Sequence, residues 1–139
     1  SVKTYEPEAR IDGILLEQMA KSGEEIILGV KNDPSFGPVL MFGLGGIFVE
    51  IFRDITFKVA PLSDTDIENM LKNIKGYPLL TGARSESPKD IAALKIIIKK
   101  LSNLALAHPE IAELDINPVI VHDAGNGCSI ADIRIVLKK

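Results

Sequence analysis

A long amphipathic helix between residues 87 and 109 is the sequence feature that most constrains the fold of this chain. Its apolar stripe, at helical spacing, consists of Ile91, Leu94, Ile98, Leu101 and Leu104. Ser87 and Pro88 are typical of a helix start, and Pro109 marks the helix end. Because an apolar stripe must pack against another apolar surface, the rest of the chain has to provide a second layer.

Runs rich in β-branched residues predict that this second layer is a sheet. Strands are expected at residues 11–19, 25–30 and 39–42 and, less regularly, at 47–52 and 55–59. The last part of the chain predicts a hairpin, with strands at 112–121 and 128–137 around a loop at 122–127.

A second, shorter helix is predicted to start at Ser63. Ser63 and Asp66 have the spacing of a capping box, in which each residue satisfies a free backbone N–H group. One helical face then carries Ile67, Met70, Leu71 and Ile74. We expect this helix to end near Gly76. Strands, two main helices and a closing hairpin together predict an α+β fold with a mainly antiparallel sheet, in a single domain over residues 1–139.

The composition excludes several classes of function. A net charge of -3 and lysines dispersed along the chain argue against a nucleic-acid partner. No apolar run approaches the roughly 20 residues that a membrane span requires. The single cysteine, Cys128, cannot form an internal disulfide, and the sequence has no secretory signal, so we expect a protein of the reducing cytoplasm.

The predicted closing hairpin concentrates oxygen-bearing side chains. Strand alternation places Glu113, Asp115 and Asn117 on one face, and the returning strand brings Asp132 within about a residue or two of Asn117. Two carboxylates and an amide held close together favour a cation, and Mg²⁺ takes oxygen ligands of this kind. Alternatively, Asp115 faces solvent and the Asn117-Pro118 pair only ends the strand.

Five motifs occur in an order and spacing that one enzyme family shares. They are R-I-D-G-I-L-L-E-Q-M at 10–19, G-E-E-I-I-L-G-V-K-N-D-P-S-F-G-P-V at 23–39, M-F-G-L-G-G-I-F-V-E at 41–50, A-P-L-S at 60–63, and D-I-N-P at 115–118. Together they resemble the ADP-forming acetyl-CoA synthetases, which are ATP-grasp enzymes, and more distantly the β subunit of succinyl-CoA synthetase. The resemblance implies the C-terminal part of an ATP-grasp domain without its N-terminal lobe.

The same resemblance assigns nucleotide-binding and metal-binding roles. It makes Glu17, Gln18 and Met19 the strand whose backbone meets adenine, and it makes Glu25 a hydrogen-bond partner of the ribose. The D-I-N-P motif with the following Asp132 resembles the end of ATP-grasp domains that binds magnesium. From the residues alone, Glu17 and Glu25 can each be explained as an exposed charge at a strand edge.

A glycine-rich loop is implied to lie beside the active site. It contains Gly43, Gly45 and Gly46. Glycines let a backbone approach a phosphate, but they also permit a tight turn, and the sequence does not separate these two explanations.

Other charged residues are candidates for handling the transferred phosphoryl group. Arg84 matches a G-x-R-G element of the family, although Ser85 stands where that element has glycine. The Arg84 guanidinium could hold a phosphoryl group with two hydrogen bonds. Alternatively, Arg84 is an ordinary solvated surface residue. Glu50 and Asp54 flank the glycine-rich loop and are candidates for positioning the same group.

The implied activity converts acyl-CoA, ADP and phosphate into a free acid, CoA and ATP through acyl phosphate and phosphohistidine. The implied cofactors are ATP or ADP with Mg²⁺, and the implied partners are the N-terminal ATP-grasp lobe and a CoA-binding domain or subunit. Neither His108 nor His122 matches the family's phosphorylated histidine. Without the N-terminal lobe we expect weak nucleotide binding and no turnover, and an oligomer is compatible with the sequence.

Two other functions fit the same residues. The segment can belong to a protein acetyltransferase or regulatory protein that keeps a decayed synthetase region for sensing ligands. It can also be a structural α+β domain without nucleotide chemistry. The intact set of Asp115, Asn117 and Asp132 argues against decay.

Overall fold

The fold is an antiparallel sheet with helices packed on one face. It is described from a computed structural model, which covers residues 2–46, 53–83 and 87–138. The elements are α1 (Val2–Tyr5), β1 (Glu24–Asp33), β2 (Gly37–Leu44), β3 (Ile55–Val59), α2 (Asp64–Lys72), α3 (Tyr77–Leu80), α4 (Ile91–Ala107), β4 (Ile111–Val121), β5 (Cys128–Ile130) and β6 (Ile133–Leu137). The described residues form a six-stranded sheet in the order β3-β2-β1-β4-β5, and β6 also pairs with β4. This confirms the predicted α+β class and the mainly antiparallel sheet.

The core lies between the sheet and helices α2 and α4. Alternate residues of the central strands face the helices and are almost fully buried, as for Leu28 at 1% and Phe42 at 0% exposure. Helix α4 contributes Leu94, Ile98, Leu101 and Ala105. Burying one such large apolar side chain stabilises the fold by about 1.5–3 kcal/mol, so the sheet and helices depend on each other. The predicted stripe is wrong at Leu104, which is 39% exposed because Ala105 takes the core position.

Helix α4 begins later than the sequence predicted. Its N-cap is Asp90, whose carboxylate accepts a hydrogen bond from the Ala93 backbone N–H, so Ser87 and Pro88 precede the helix. The same carboxylate accepts hydrogen bonds from the backbone N–H groups of Gly125 and Gly127 in the hairpin loop. A carboxylate satisfies more donors than a serine hydroxyl does, and the cap therefore forms at Asp90.

Helix α2 has the predicted start but ends earlier than expected. Ser63 and Asp66 form the complete capping box. The C-cap is Asn73, not a residue near Gly76, because the chain turns there to reach Asp54. The Asp54 carboxylate accepts hydrogen bonds from the backbone N–H groups of Lys75 and Gly76 at 2.8 and 2.7 Å.

The strand predicted at residues 11–19 does not form. These residues are exposed, with Ile14 at 94% and Leu16 at 93%. Both edges of β1 are occupied, by β2 on one side and β4 on the other. Segment 11–19 therefore has no free edge of β1 to pair with, although its composition favours a strand.

The closing hairpin forms as predicted. Strand β4 pairs first with β5 and then with β6, and residues 131 and 132 interrupt the returning strand. The described residues include no helix that is both long and apolar enough to cross a membrane.

Candidate metal and nucleotide site

The sheet face opposite the helices, called here the open face, carries the predicted metal ligands. Along β4, Leu114 and Ile116 point into the core with 3% and 4% exposure. The alternation of a strand therefore directs Glu113, Asp115 and Asn117 to the open face, as the sequence predicted.

Asn117 and Asp132 face each other across the hairpin. The Asn117 backbone N–H donates to the Asp132 carbonyl at 3.2 Å, and the Ala131 N–H donates to the Pro118 carbonyl at 3.0 Å. The register on either side of them makes Asn117 and Asp132 direct cross-strand neighbours. Cross-strand neighbours project their side chains on the same face, with Cβ atoms about 4.5–5.5 Å apart. The predicted closeness of these two residues is therefore observed, while their role as ligands stays a prediction.

The donor set fits Mg²⁺. Within the part of the chain that the structure describes, the side chains of Asp115, Asn117 and Asp132 make no hydrogen bond or ion pair, so their oxygens are available. Asp115 is half-buried, and the other two are exposed. Among all residues that the structure describes, no group of three or more His, Cys, Asp or Glu side chains is suited to a metal ion. Two carboxylates and an amide suit an ion that completes its octahedron with water and substrate phosphate.

Two cations line the groove beside these residues. The groove on the open face has a volume of about 500 Å³ and its lining includes Asp115, Lys31 and Arg134. Lys31 pairs with Glu113 at 3.3 Å. Arg134 lies directly opposite Asp115 in the register, and no described residue holds its guanidinium in a hydrogen bond or ion pair. Arg134 is therefore the groove cation that remains available to an anionic ligand.

Sequence reasoning missed Arg134. The signal was present in Asp132-Ile133-Arg134, because strand alternation puts the first and third residues of that run on one face. A cation two positions after a candidate carboxylate ligand therefore shares the face of that ligand.

The predicted adenine segment borders a second groove. This groove, of about 870 Å³, is lined by residues 17–21 of the segment before β1 and by hairpin residues that include Ile120, His122 and residues 129–131. Glu25 is exposed on the open face and lies opposite Ile120 in the register. The structure thus brings Glu17, Gln18, Met19 and Glu25 near one end of the hairpin, and the second groove leads from there to Ala131, beside Asp132.

Packing accounts for two glycines of the predicted phosphate loop. Gly43 lies within β2, and a Cβ atom there would come within 2.7 Å of Ile55 Cγ2. A Cβ atom on Gly45 would come within 3.0 Å of the Glu25 carbonyl oxygen, which accepts a hydrogen bond from the Gly45 N–H. Gly46 has φ +59, which favours glycine for conformational reasons. A phosphate-binding role for these glycines remains a prediction.

The candidates for phosphoryl handling have different outcomes. Arg84 and Glu50 lie outside the described residues. Asp54 is 7% exposed, and its two oxygens are taken by the Lys75 and Gly76 backbone N–H groups. The expectation that Asp54 positions a phosphoryl group is therefore wrong, because its carboxylate already holds the start of α3.

Neither histidine lies among the open-face ligands. His108 is the C-cap residue of α4, and its Nδ1 lies 2.9 Å from a Glu110 carboxylate oxygen at the surface. His122 is 7% exposed, with Nδ1 at 3.1 Å from the Ser22 carbonyl and Nε2 at 2.8 Å from the Ser129 hydroxyl. His122 therefore connects the segment before β1 to the hairpin.

A model of the ATP-grasp domain matches residues 1–137. The chain belongs to the ATP-grasp domain family. It is 47% identical over 137 residues to an ADP-forming 4-hydroxybutyrate–CoA ligase of Nitrosopumilus maritimus, covering 99% of this chain and 20% of that protein. It is 46% identical over 139 residues to the β subunit of ADP-forming acetate–CoA ligase II of Pyrococcus furiosus, covering 99% of this chain and 59% of the relative. This ATP-grasp chain thus spans about a fifth to three fifths of these relatives.

Solved structures agree with the family match. Acetyl-CoA synthetase 1 of Candidatus Korarchaeum cryptofilum, in complex with coenzyme A and Mg-AMPPCP, is 49% identical with a TM-score of 0.81, and the match covers 86% of this chain and 55% of that one. A protein of Pyrococcus horikoshii is 46% identical with a TM-score of 0.84, covering 99% of this chain and 58% of the other. The resemblance to ADP-forming acetyl-CoA synthetases stated from the sequence is confirmed.

Proposed function

We propose that this ATP-grasp segment forms the metal-binding wall of the phosphoryl-transfer site in an ADP-forming acyl-CoA synthetase. The observation that carries the proposal is the meeting of Asp115, Asn117 and Asp132 on one face with their side chains unengaged by described residues. A half-buried carboxylate, a further carboxylate and an amide on one face form the kind of oxygen donor set that Mg²⁺ binds. The relatives support the same assignment, since one is an ADP-forming ligase and another was solved in complex with Mg-AMPPCP.

Each residue has a distinct part in the proposed chemistry. Asp115, Asn117 and Asp132 bind and orient the metal, which when present neutralises charge on the transferring phosphoryl group. Arg134 donates to a phosphate oxygen from the next position along the open face. Catalysis then consists mainly of holding the donor and acceptor in line and stabilising charge on the transferring group.

The nucleotide base is proposed to lie in the second groove. Glu17, Gln18 and Met19 would meet adenine through their backbone, and Glu25 would hydrogen-bond the ribose. The lining of this groove by residues 17–21 and its extension to Ala131, next to Asp132, support a nucleotide whose phosphates reach the metal. Asp132 would thus stand between the base-binding and phosphate-binding ends.

Other protein parts are proposed to complete the reaction. A second ATP-grasp lobe would close over the nucleotide, and a CoA-binding domain or subunit would supply the acyl group and the phosphohistidine. In the similar structure from Candidatus Korarchaeum cryptofilum, a phosphohistidine segment points towards the nucleotide-binding site of that protein.

Turnover of the complete protein tests the proposal. ATP formation from acyl-CoA, ADP and phosphate should fall by roughly 100-fold or more in Asp115→Asn and Asp132→Asn, because each removes a charge that holds the metal. Glu113→Gln is the matched control, since it lies on the same strand and face but pairs with Lys31, and it should retain activity within a few-fold.

Two results would contradict the proposal. Unchanged ATP formation in both Asp variants would show that Asp115 and Asp132 do not bind the metal. Nucleotide binding without any turnover in the complete wild-type protein would favour the ligand-sensing alternative.

A further inference from the structure

The segment before β1 forms one wall of the second groove without being part of the sheet. Residues 9–23 have no helix or strand, and side chains along the segment are highly exposed, as for Met19 at 91%. A wall of this kind has a defined position only where specific contacts attach it to the body of the fold. Its attachment therefore decides the width of the groove.

Two contacts attach the segment at its end. Gly23 lies so close to β4 that an added Cβ atom would come within 2.5 Å of the Val121 carbonyl oxygen. One residue earlier, the Ser22 carbonyl lies 3.1 Å from His122 Nδ1. The first contact fixes the distance of the chain from β4, and the second fixes the orientation of the preceding peptide group.

His122 is itself held rigidly. Its backbone N–H donates to the Gly127 carbonyl at 3.1 Å, and its carbonyl accepts from the Asp90 N–H at 2.8 Å. Its Nε2 lies 2.8 Å from the Ser129 hydroxyl, and the residue is 7% exposed. The side chain thus has little freedom to move away from Ser22.

The partners define which ring nitrogen carries the proton. A carbonyl oxygen only accepts hydrogen bonds, so Nδ1 of His122 is the donor to Ser22. In the neutral ring Nε2 is then the acceptor, and the Ser129 hydroxyl donates to it. Both ring nitrogens are satisfied, and the imidazole bridges the segment and β5.

We infer that His122 is a positioning residue, which holds residues 17–21 at the separation from the hairpin that the base of a nucleotide requires. This inference rests on the proposed function and adds to it a residue that does not touch the reacting phosphates. The lining of this groove includes Ile120, which the register places on the open face beside Ser129 and which offers apolar surface to a planar base. Small changes of position in such a site lower affinity and discrimination substantially.

The experiment uses the complete protein with His122→Phe, which keeps an aromatic ring but loses both hydrogen bonds. His108→Phe is the matched control, because His108 is exposed at the end of α4 and contacts Glu110 instead of the segment. Affinities for Mg-ATP, Mg-GTP and Mg-tripolyphosphate are measured by calorimetry. Hydrogen exchange reports the protection of residues 17–23.

His122→Phe should weaken Mg-ATP binding by roughly tenfold and reduce the preference for ATP over GTP, with tripolyphosphate affinity unchanged. With Mg-ATP bound, exchange should rise in residues 17–23, and His108→Phe should match the wild type. His122→Asn restores a donor near the Nδ1 position and should recover part of the base preference. Ser129→Ala, which removes only the Nε2 partner, should lower the same preference by a smaller factor, and it keeps the test decisive if His122→Phe does not fold.

Other outcomes overturn the inference. Equal ATP preference in wild type and in the folded His122 and Ser129 variants would exclude the positioning role. Equal weakening of ATP and tripolyphosphate would assign His122 a general structural role instead. If the wild type bound no Mg-nucleotide at all, the proposed function would fail first, and the two failures are therefore distinguishable.

Discussion

Replacing Asp54 with asparagine should destabilise the fold without acting on the chemistry. Its carboxylate is 7% exposed and accepts two backbone hydrogen bonds, from Lys75 at 2.8 Å and from Gly76 at 2.7 Å. Asparagine has one acceptor oxygen, so its amide NH₂ would face the second N–H donor. Losing one charge-assisted hydrogen bond and leaving a buried donor unpaired costs about 2–4 kcal/mol. That is a large part of the roughly 5–15 kcal/mol typical of a folded domain.

Urea denaturation measures this loss directly. Asp54→Asn should show the reduced free energy of unfolding, whereas the control Asp12→Asn should stay within about 0.5 kcal/mol of wild type. Asp12 is suitable because its side chain is 78% exposed and pairs only with Arg10 at the surface. Equal stability of the two variants would refute the structural role. A loss of turnover at unchanged stability would instead revive the positioning role first suggested by the sequence.

Three further changes probe other contacts. Arg134→Gln should weaken Mg-ATP binding by about 10- to 100-fold in calorimetry, since a charge-assisted hydrogen bond contributes about 1.5–3 kcal/mol. Mn²⁺ binding without nucleotide should not weaken, and an equal loss of both affinities would contradict the phosphate role of Arg134. Hydrogen bonds from backbone N–H groups, chiefly that of Ala93, lower the pKa of Asp90 from its ordinary 3.8. The ionised carboxylate therefore stabilises the fold above pH 3.8, and this stabilisation is lost as the pH falls through the lower pKa of the folded state. Denaturation of wild type and Asp90→Asn should therefore differ at pH 7. The difference should begin to shrink near pH 3.8 and vanish only below the lower folded pKa, and a constant difference would be inconsistent with this linkage. Gly45→Ala should lower the free energy of unfolding by about 1–3 kcal/mol, because its Cβ atom would come within 3.0 Å of the Glu25 backbone. The control Gly13→Ala should show no such loss, because a Cβ atom there meets nothing within 4 Å.

Local sequence patterns predicted the elements whose partners lie nearby in the chain. The capping box of Ser63 and Asp66 needs only the first helical turn, and it forms as expected. The hairpin that joins Asn117 to Asp132 depends on one short loop, so its register follows closely from the sequence. These features also carry most of the candidate metal site.

The errors arose where distant parts of the fold decide the outcome. Segment 11–19 has a strand composition, but β1 already has neighbours on both edges. The start of α4 is set by Asp90, whose additional donors come from a loop more than thirty residues later. Asp54 similarly finds its partners in a distant turn, which no spacing in the sequence could reveal.

Recognition of side-chain roles was limited by a different cause. A single residue type serves several purposes, as Gly43 and Gly45 illustrate, since close packing requires glycine there whether or not a phosphate binds. Arg134 has no distinctive motif of its own, and its relevance follows from its place opposite Asp115. Strand alternation places Arg134 on the face of Asp132, and the tertiary arrangement then separates it from an ordinary surface charge.

Direct metal binding is the most decisive test of the open-face site. Electron paramagnetic resonance should follow Mn²⁺ binding to the complete protein in the presence of ATP, for wild type, Asp132→Asn and the control Glu113→Gln. We predict that Asp132→Asn binds Mn²⁺ at least about tenfold more weakly, because one carboxylate ligand becomes a neutral amide, while Glu113→Gln stays close to wild type. Equal Mn²⁺ affinity in wild type and Asp132→Asn would contradict the assignment of Asp115, Asn117 and Asp132 as the metal site.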